Sequence, residues 1–319
     1  YWERVEASRN FANKVWNASR FIQMNMPEEG IDVKNKPENL TDADKWILSK
    51  VNTLAKDVTE NLDKFELGIA ADKIYNFIWE EFCDWYIELV KPRLFNKEED
   101  PVSANAAFWT LKTVLIDSLK LLHPYMPFIT EEIFCNLQDE EETIMLSKWP
   151  EFTEEYDFAK EEKAVETIKE AVRNIRNIRS EMNVAPSKKA KVFVVSSEEE
   201  IKNIFENGKV FFATLGYASE VIIQDDKSGI GDDAVSVVIP KATIYMPFAE
   251  LVDISKEIQR LNKEVEKLNK ELARVNGMLS NPNFVSKAPE KKINEEKAKQ
   301  AKYQQMMDQV KEQLARLQK

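Results

Sequence analysis

The chain has 319 residues, 43% of them hydrophobic, with only 7 glycines and a net charge of −11, a balance that fits a folded protein of two or three domains and argues for helix over sheet. No basic-then-apolar leader and no apolar run long enough to span a bilayer is present, so a cytosolic fragment of something longer is expected. Two separated cysteines, Cys83 and Cys135, and the single His123 exclude a zinc site and any chemistry that needs two histidines; both thiols read as buried and free, in a reducing compartment.

Taken in chain order, amphipathic helices are predicted over about 2–25, 42–64, 67–95 and 102–123, with a short one at 130–138. Pro27, Pro37, Pro92, Pro101, Pro124 and Pro127 punctuate the joins, and Thr41 followed by Asp44 reads as an N-cap with an acid in the first turn. Residues 1–150 thus predict a helical bundle. Residues 151–249 begin with a helix carrying Val165, Ile168, Val172, Ile175 and Met182. They continue with β-rich runs at 191–196, 221–224, 235–239 and 242–246, the order of a small α/β domain.

Residues 250–319 form an arm. Apolar residues step by four and three through Ile254, Ile258, Leu261, Val265, Leu268, Leu272, Val275 and Leu279, the seam of a helix that packs along another. After breakers at 281–284 and 288–290 a weaker seam resumes at Tyr303, Met307, Val310, Leu314 and Leu317. The pattern predicts an antiparallel coiled-coil hairpin, about 40 Å long at ~1.5 Å per residue. The fold class is therefore mainly α: helical bundle, small α/β domain and C-terminal coiled-coil hairpin. Charge divides along the same line, with 15 Lys+Arg against 10 Asp+Glu in 251–319 and 30 against 46 in 1–250. A basic arm suits two readings, lysines that only solubilise a coiled coil and a phosphate-binding arm.

Signals for catalysis are absent. His123, between Leu122 and Pro124 at a helix end, reads as a structural or capping histidine. Gly229-Ile230-Gly231-Asp232 lies between two predicted strands and reads as a turn, and the acidic runs at 140–142 and 198–200 read as solvated faces. Candidates for nucleic-acid binding remain. In the first helix Phe11, Val15, Ala18 and Ile22 make an apolar face, which leaves Asn10, Asn13, Lys14, Asn17 and Arg20 elsewhere and sets Phe21 beside Arg20. Amides and a guanidinium next to an exposed ring are tools for reading and stacking unpaired bases, unless Phe21 turns into the bundle. The run Tyr75, Phe77, Trp79, Phe82, Trp85 and Tyr86 reads as core. Arg173, Arg176 and Arg179 recur every three residues near Lys169, which suits either a phosphate stripe or bridges to Glu166, Glu170 and Glu181.

Five segments carry a family resemblance. SRNFANKVWNASRF (8–21), ADKWILSK (43–50), FCDWYIELVKP (82–92), LLHPYMPFITEEIF (121–134) and LSNPNFVSKAPE (279–290) resemble, in order and across essentially the whole chain, the C-terminal half of bacterial valyl-tRNA synthetases. The first four resemble the anticodon-binding helical domain shared by the isoleucine, leucine and valine enzymes. The last resembles the arm associated with the valine enzyme, whereas the cysteine-bearing zinc module expected at the end of a bacterial isoleucine enzyme is missing.

The resemblance implies tRNA as the partner. It also implies a chain without the aminoacylation and editing domains, hence with no catalytic residue, metal or cofactor of its own; ATP and Mg belong to the full-length ligase. The missing N-terminal catalytic domain is then a second partner. Arg20 and Phe21 fall where the family places anticodon-contacting side chains, and Asn17, Lys14 and Asn13 complete that set. Asn281, Asn283, Phe284 and Lys287 at the arm tip are expected at the outer corner of the tRNA, unless Phe284 only closes the hairpin by packing on Leu279. The α/β block resembles the family only loosely, so contacts of Arg173, Arg176 and Arg179 to the tRNA backbone rest on their own pattern and not on the resemblance. A cytoplasmic monomer with no membrane partner is expected. The rivals are a coiled-coil scaffold that dimerises through its heptads and the equivalent part of an isoleucine or leucine enzyme.

Overall fold

The computed structural model describes residues 2–28, 30–138, 141–251 and 254–317. They fall into two compact units, one of residues 1–178, 191–230 and 236–245, the other of residues 179–190, 231–235 and 246–319.

The first unit opens with α1 (Trp2–Asn25) and α2 (Asp42–Asp63). Thr41 starts α2 with a capping box: its hydroxyl accepts from the Asp44 amide and the Asp44 carboxylate accepts from the Thr41 amide, which satisfies two donors that a helix start leaves open. The predicted helix 67–95 is continuous but not uniform. α3 (Leu67–Asn76) and α4 (Glu88–Phe95) enclose π-helical turns over Phe77–Ile87. Buried residues fall in that stretch at 77/78, 82/83 and 85–87, steps of about four to five that the wider π turn, bonding from i to i+5, keeps on the core side. α5 (Pro101–Leu122) and α6 (Pro127–Leu137) each begin on a proline, where the missing N–H has no intrahelical partner to lose. Trp46, Phe82, Tyr86, Phe108, Trp109 and Phe134 are fully buried in the core between these helices.

α7 (Ala159–Glu181) lies along α2. Lys45 pairs with Glu161 at 3.1 Å, Ser49 Oγ donates to Glu162 at 2.9 Å and Trp46 Nε1 donates to Glu166 at 3.2 Å. The chain then passes through β1 (Ala190–Val195), α8 (Glu199–Asn207), α9 (Lys209–Leu215), β2 (Ala218–Gln224), β3 (Val235–Ile239) and β4 (Ala242–Met246). The strands form one sheet in the order β2-β1-β4-β3, with β1 antiparallel to β4 and Val194 opposite Ile244. Alternate residues of β1 and β4 are buried, and Phe205 and Phe212 from the two helices pack together with ring centroids 5.7 Å apart. All four strands match the β-rich runs read from the sequence. Gly229, at φ 77°, and the amide of Ile230 donating to Lys227 O place the glycine pair in a turn, as expected.

In the second unit α10 (Phe248–Leu251) precedes α11 (Ile254–Ser280), α12 (Pro282–Lys287) and α13 (Glu290–Leu317). Leu261, Leu268, Met307 and Val310 are buried where α11 meets α13, with Val265, Leu272, Tyr303, Met306 and Leu314 packed on them. The seam of α13 runs further back than its apolar residues reveal. Gln300 Nε2 donates to Asn276 Oδ1 across the limbs at 2.5 Å, Glu296 is buried and Ile293 is half-buried, which continues the steps of three and four through polar residues. The side chains of Ile254 and Leu317 lie outside the described residues.

Two sequence expectations change here. Cys83 is buried, but Cys135 is exposed: α6 buries Thr130, Ile133, Phe134 and Leu137, and a residue one position past Phe134 points off that stripe. The breaker at 281–284 is one residue wide, because Pro282 sits comfortably at the start of a helix and opens α12. Of the acidic run at 140–142, Glu140 lies outside the described residues.

Candidate nucleic-acid interface

Helix α1 sorts its residues by the 3.6-residue period. Phe11, Val15, Ala18, Ser19 and Ile22 are buried, and the other side exposes Asn13, Asn17 and Arg20 in one row at spacings of four and three. Arg20 makes no ion pair among the described residues. Trp16 and Met24, 39% and 76% exposed, border the same row and were not singled out from the sequence.

Phe21 is half-buried at the edge of the bundle. Its ring meets that of Phe95 edge-on at 6.5 Å, and Lys91 Nζ stands 5.5 Å over it. Lys91 and Phe95 are four residues apart on α4 and so share a face, a spacing legible in the sequence but not read from it. Lys91 also pairs with Glu88 on its own helix. The result is an aromatic pair open to solvent, with Phe95 64% exposed, beside a cation and a row of amides.

Lys14 is set apart from the other four residues of the expected set. It pairs with Asp84 at 2.6 Å and lies 3.8 Å over the Trp79 ring, which itself stacks on Tyr75 at 5.6 Å. Its charge is engaged within the unit. Tyr75 and Trp79 form the edge of the aromatic run, and Phe77, Phe82, Trp85 and Tyr86 are buried as expected of a core.

The arginines of α7 do not form one stripe. A step of three residues turns a helix by roughly 300°, so positions 173 and 179 diverge by about 120° around the axis. Arg173 and Arg176 are exposed, with the Arg173 guanidinium 5.4 Å from the Trp85 ring, but Arg179 is buried and donates to the carbonyls of Ala185 and Lys188 in the turn that follows the helix. Lys169 is buried too. It pairs with Glu81 and with Glu166, at 3.0 Å from the latter, and lies 4.6 Å and 5.3 Å over the rings of Trp46 and Trp85. Of that cluster only Arg173 and Arg176 offer charge to a ligand.

At the arm tip Asn281 is exposed, and its carbonyl accepts from the Phe284 amide at 3.0 Å. Phe284 is half-buried, and its carbonyl accepts from Ala288. The side chains of Asn283 and Lys287 lie outside the described residues. Elsewhere, His123 Nδ1 lies 2.7 Å from Thr130 Oγ1 at the end of α5, in keeping with a structural histidine. Among the described residues no group of three or more His, Cys, Asp or Glu is placed to hold a metal ion, and no helix is long and apolar enough to cross a membrane.

Residues 44–194 match the family described as the anticodon-binding domain of tRNA ligase, and residues 253–318 match the valyl tRNA synthetase tRNA binding arm. The chain is 50% identical over 317 residues to a valine–tRNA ligase of Clostridium tetani and 50% identical over 316 residues to that of Clostridium perfringens. It is 42% identical over 319 residues to that of Staphylococcus carnosus. Each match covers 99% of this chain and 36% of the relative, of which it is the C-terminal part.

Proposed function

We propose that this chain, which belongs to the valyl-tRNA synthetase family as the counterpart of its C-terminal part, holds a valine tRNA so that a catalytic domain outside it can charge the acceptor end. One observation carries the reading: the exposed row Asn13, Asn17 and Arg20 ends at the Phe21 and Phe95 rings under Lys91. Splayed bases stack on such rings while amides and a guanidinium reach their edges. Asn281 and Phe284 at the tip of a net-positive arm support a second contact, at the outer corner of the tRNA, and Arg173 and Arg176 support phosphate contacts between.

In this reading the bundle of 1–150 gives specificity, the arm of 250–319 gives affinity, and the α/β domain of 151–249 joins them, in a cytoplasmic monomer. Phosphate contacts position and base contacts specify. Against the rival scaffold stands the middle of the α11 seam, where Leu261, Val265, Leu268 and Leu272 pack on α13 of the same chain.

The test is binding of this chain to valine, isoleucine and unrelated tRNAs across salt concentrations. Arg20→Ala is expected to weaken binding to valine tRNA by about 1–3 kcal/mol and to narrow discrimination while the melting temperature holds. Deleting 251–319 is expected to flatten the salt dependence by roughly 0.7–0.9 in logarithmic slope for each phosphate no longer neutralised, with discrimination kept. Equal binding of every tRNA by the intact chain would sink the reading.

A further inference from the structure

One end of the first unit exposes an apolar surface outside the tRNA-binding face. Phe65 and Phe128 are 88% and 90% exposed, Met145 and Leu146 71% each, and Leu67 54%. Three contacts bring them together. Tyr125 Oη donates to Leu67 O at 2.8 Å and joins the α2–α3 turn to the α5–α6 turn. His123 Nε2 lies 3.1 Å from Met145 Sδ, and the Ile144 amide donates to the Glu131 carboxylate at 3.1 Å, so the turn Ile144–Leu146 is pinned beside the start of α6. Two exposed Phe rings, at about 150–250 Å² each, already approach the roughly 300–600 Å² of the largest apolar patch on an ordinary monomer. Leu67, Met145 and Leu146 carry it further. Phe65 also holds φ at 58°, a left-handed conformation unfavourable for a bulky side chain.

The surroundings of the patch narrow what covers it. Along these same turns the exposed carboxylates of Asp63, Glu66, Glu132 and Glu142 outnumber the exposed ammonium groups of Lys64 and Lys148, which leaves the edge net acidic. Such an edge repels RNA phosphates, and it repels a second copy of itself. The topology points to another occupant. Phe11 packs on Tyr75 at 4.7 Å, Lys14 on Trp79 at 3.8 Å and Phe21 on Phe95 at 6.5 Å, so α1 runs parallel to α3 and α4. The start of α1 therefore lies at the end where α3 begins at Leu67, and Trp2 there is 84% exposed. In the matched relatives roughly two thirds of the length precedes the matched part, so a polypeptide that leads into α1 arrives beside the patch.

We propose that this patch seats the N-terminal part of the longer polypeptide, through a protein surface with an apolar centre and basic edges. The proposal rests on the chain being the C-terminal part of a longer ligase and not on its binding tRNA, so either reading can fail alone.

Hydroxyl-radical footprinting with mass-spectrometric readout tests it without any substitution, by comparing this chain with the longer polypeptide that carries it. Labelling of Phe65, Phe128 and Met145 is expected to fall several-fold in the longer protein, while Met24 on α1 labels equally in both. Equal labelling of the three in both proteins overturns the proposal. So does protection that appears in this chain alone as its concentration rises, which assigns the patch to a second copy, or protection that appears only when tRNA is added.

Discussion

The bundle and the arm both bury charged side chains, but they surround them differently. In the bundle Asp44 is fully buried and its carboxylate accepts from Tyr86, Arg93 and the Thr41 amide, while Arg93 also donates to the hydroxyl and carbonyl of Ser103, each at 2.8 Å, and to the Thr41 hydroxyl at 3.3 Å. In the arm Glu296 is 5% exposed and pairs with Lys299 at 2.6 Å through one oxygen, and the other oxygen has no partner among the described residues. A buried charge whose bonding capacity is filled fixes how its neighbours pack, because losing any one partner exposes the full desolvation penalty of the rest. A half-met charge contributes register more than stability. Substitutions at the two places should accordingly differ in sign.

The largest effect is expected at Arg93. Arg93→Ala leaves the Asp44 carboxylate buried without its cation and removes two bonds to Ser103, so unfolding in urea should show a loss of about 3–5 kcal/mol. A midpoint within error of the unsubstituted chain would break the contrast at its strong end. Lys169→Ala follows. Its ammonium joins α7 to the bundle through Glu81 and Glu166, whose side chains are 18% and 36% exposed and so keep some hydration after the lysine is removed. The expected loss is smaller, about 2–3 kcal/mol. Since Lys169 is buried, tRNA affinity measured below the melting temperature should stay unchanged. A weakening at constant stability would restore the lysine to the phosphate-binding set.

These networks also mark where the sequence was legible. Thr41 and Asp44 announce a helix start by spacing alone, and the β-runs and the α11 seam follow from periods of two and three to four, so local chemistry sufficed for them. The engagement of Lys14 by Asp84 and Trp79, 70 and 65 positions away, and of Lys169 by Glu81, 88 positions away, arises only when distant segments meet. No window along the chain contains such pairs. The row Asn13, Asn17 and Arg20 was legible because it lies on one helix, but the Phe95 ring and the Lys91 ammonium that complete it come from another. Arg179 falls off the exposed stripe because a three-residue repeat does not hold one helix face over two steps at about 100° per residue.

Asp117 tests the comparison from within the first unit. It lines a cavity of about 220 Å³ with Leu48, Ala55, Trp149 and Tyr156, and burial pushes its carboxyl from 3.8 up to about 6, against the pull of Lys120. The hydroxyl of Thr113 in the same cavity has no partner among the described residues. A carboxyl raised on folding binds its proton more tightly in the native state, so its contribution is full below the unfolded value and is lost as pH rises from about 4 through about 6. Asp117→Asn should remove that fall and add about 1–2 kcal/mol of stability above neutral pH. Identical pH profiles for the two proteins would show that this carboxylate is solvated.

The smallest effect, and the one of opposite sign to Arg93→Ala, is expected at Glu296. It occupies a seam position between Ile293 and Gln300, where the apolar pattern of α13 calls for a residue like Met307 or Val310, and α11 brings Val275, fully buried, to its own side of the seam. The hydrogen bond from Lys299, with the charges of Arg274 and Lys292, holds the carboxyl below its usual range, but Lys299 is half in solvent and reaches one oxygen only, and the other has no hydrogen-bond partner among the described residues. Glu296→Leu extends the apolar seam toward the tip, removes the unpaired oxygen and frees Lys299 to water. The arm should then unfold at a higher temperature, a rise of a few degrees followed by helical circular dichroism. The Gln300–Asn276 bond keeps the two limbs in register, so no new oligomer should accompany the gain. A lower melting temperature would mean that Glu296 is fully met in solution, and the arm would then bury charge as the bundle does.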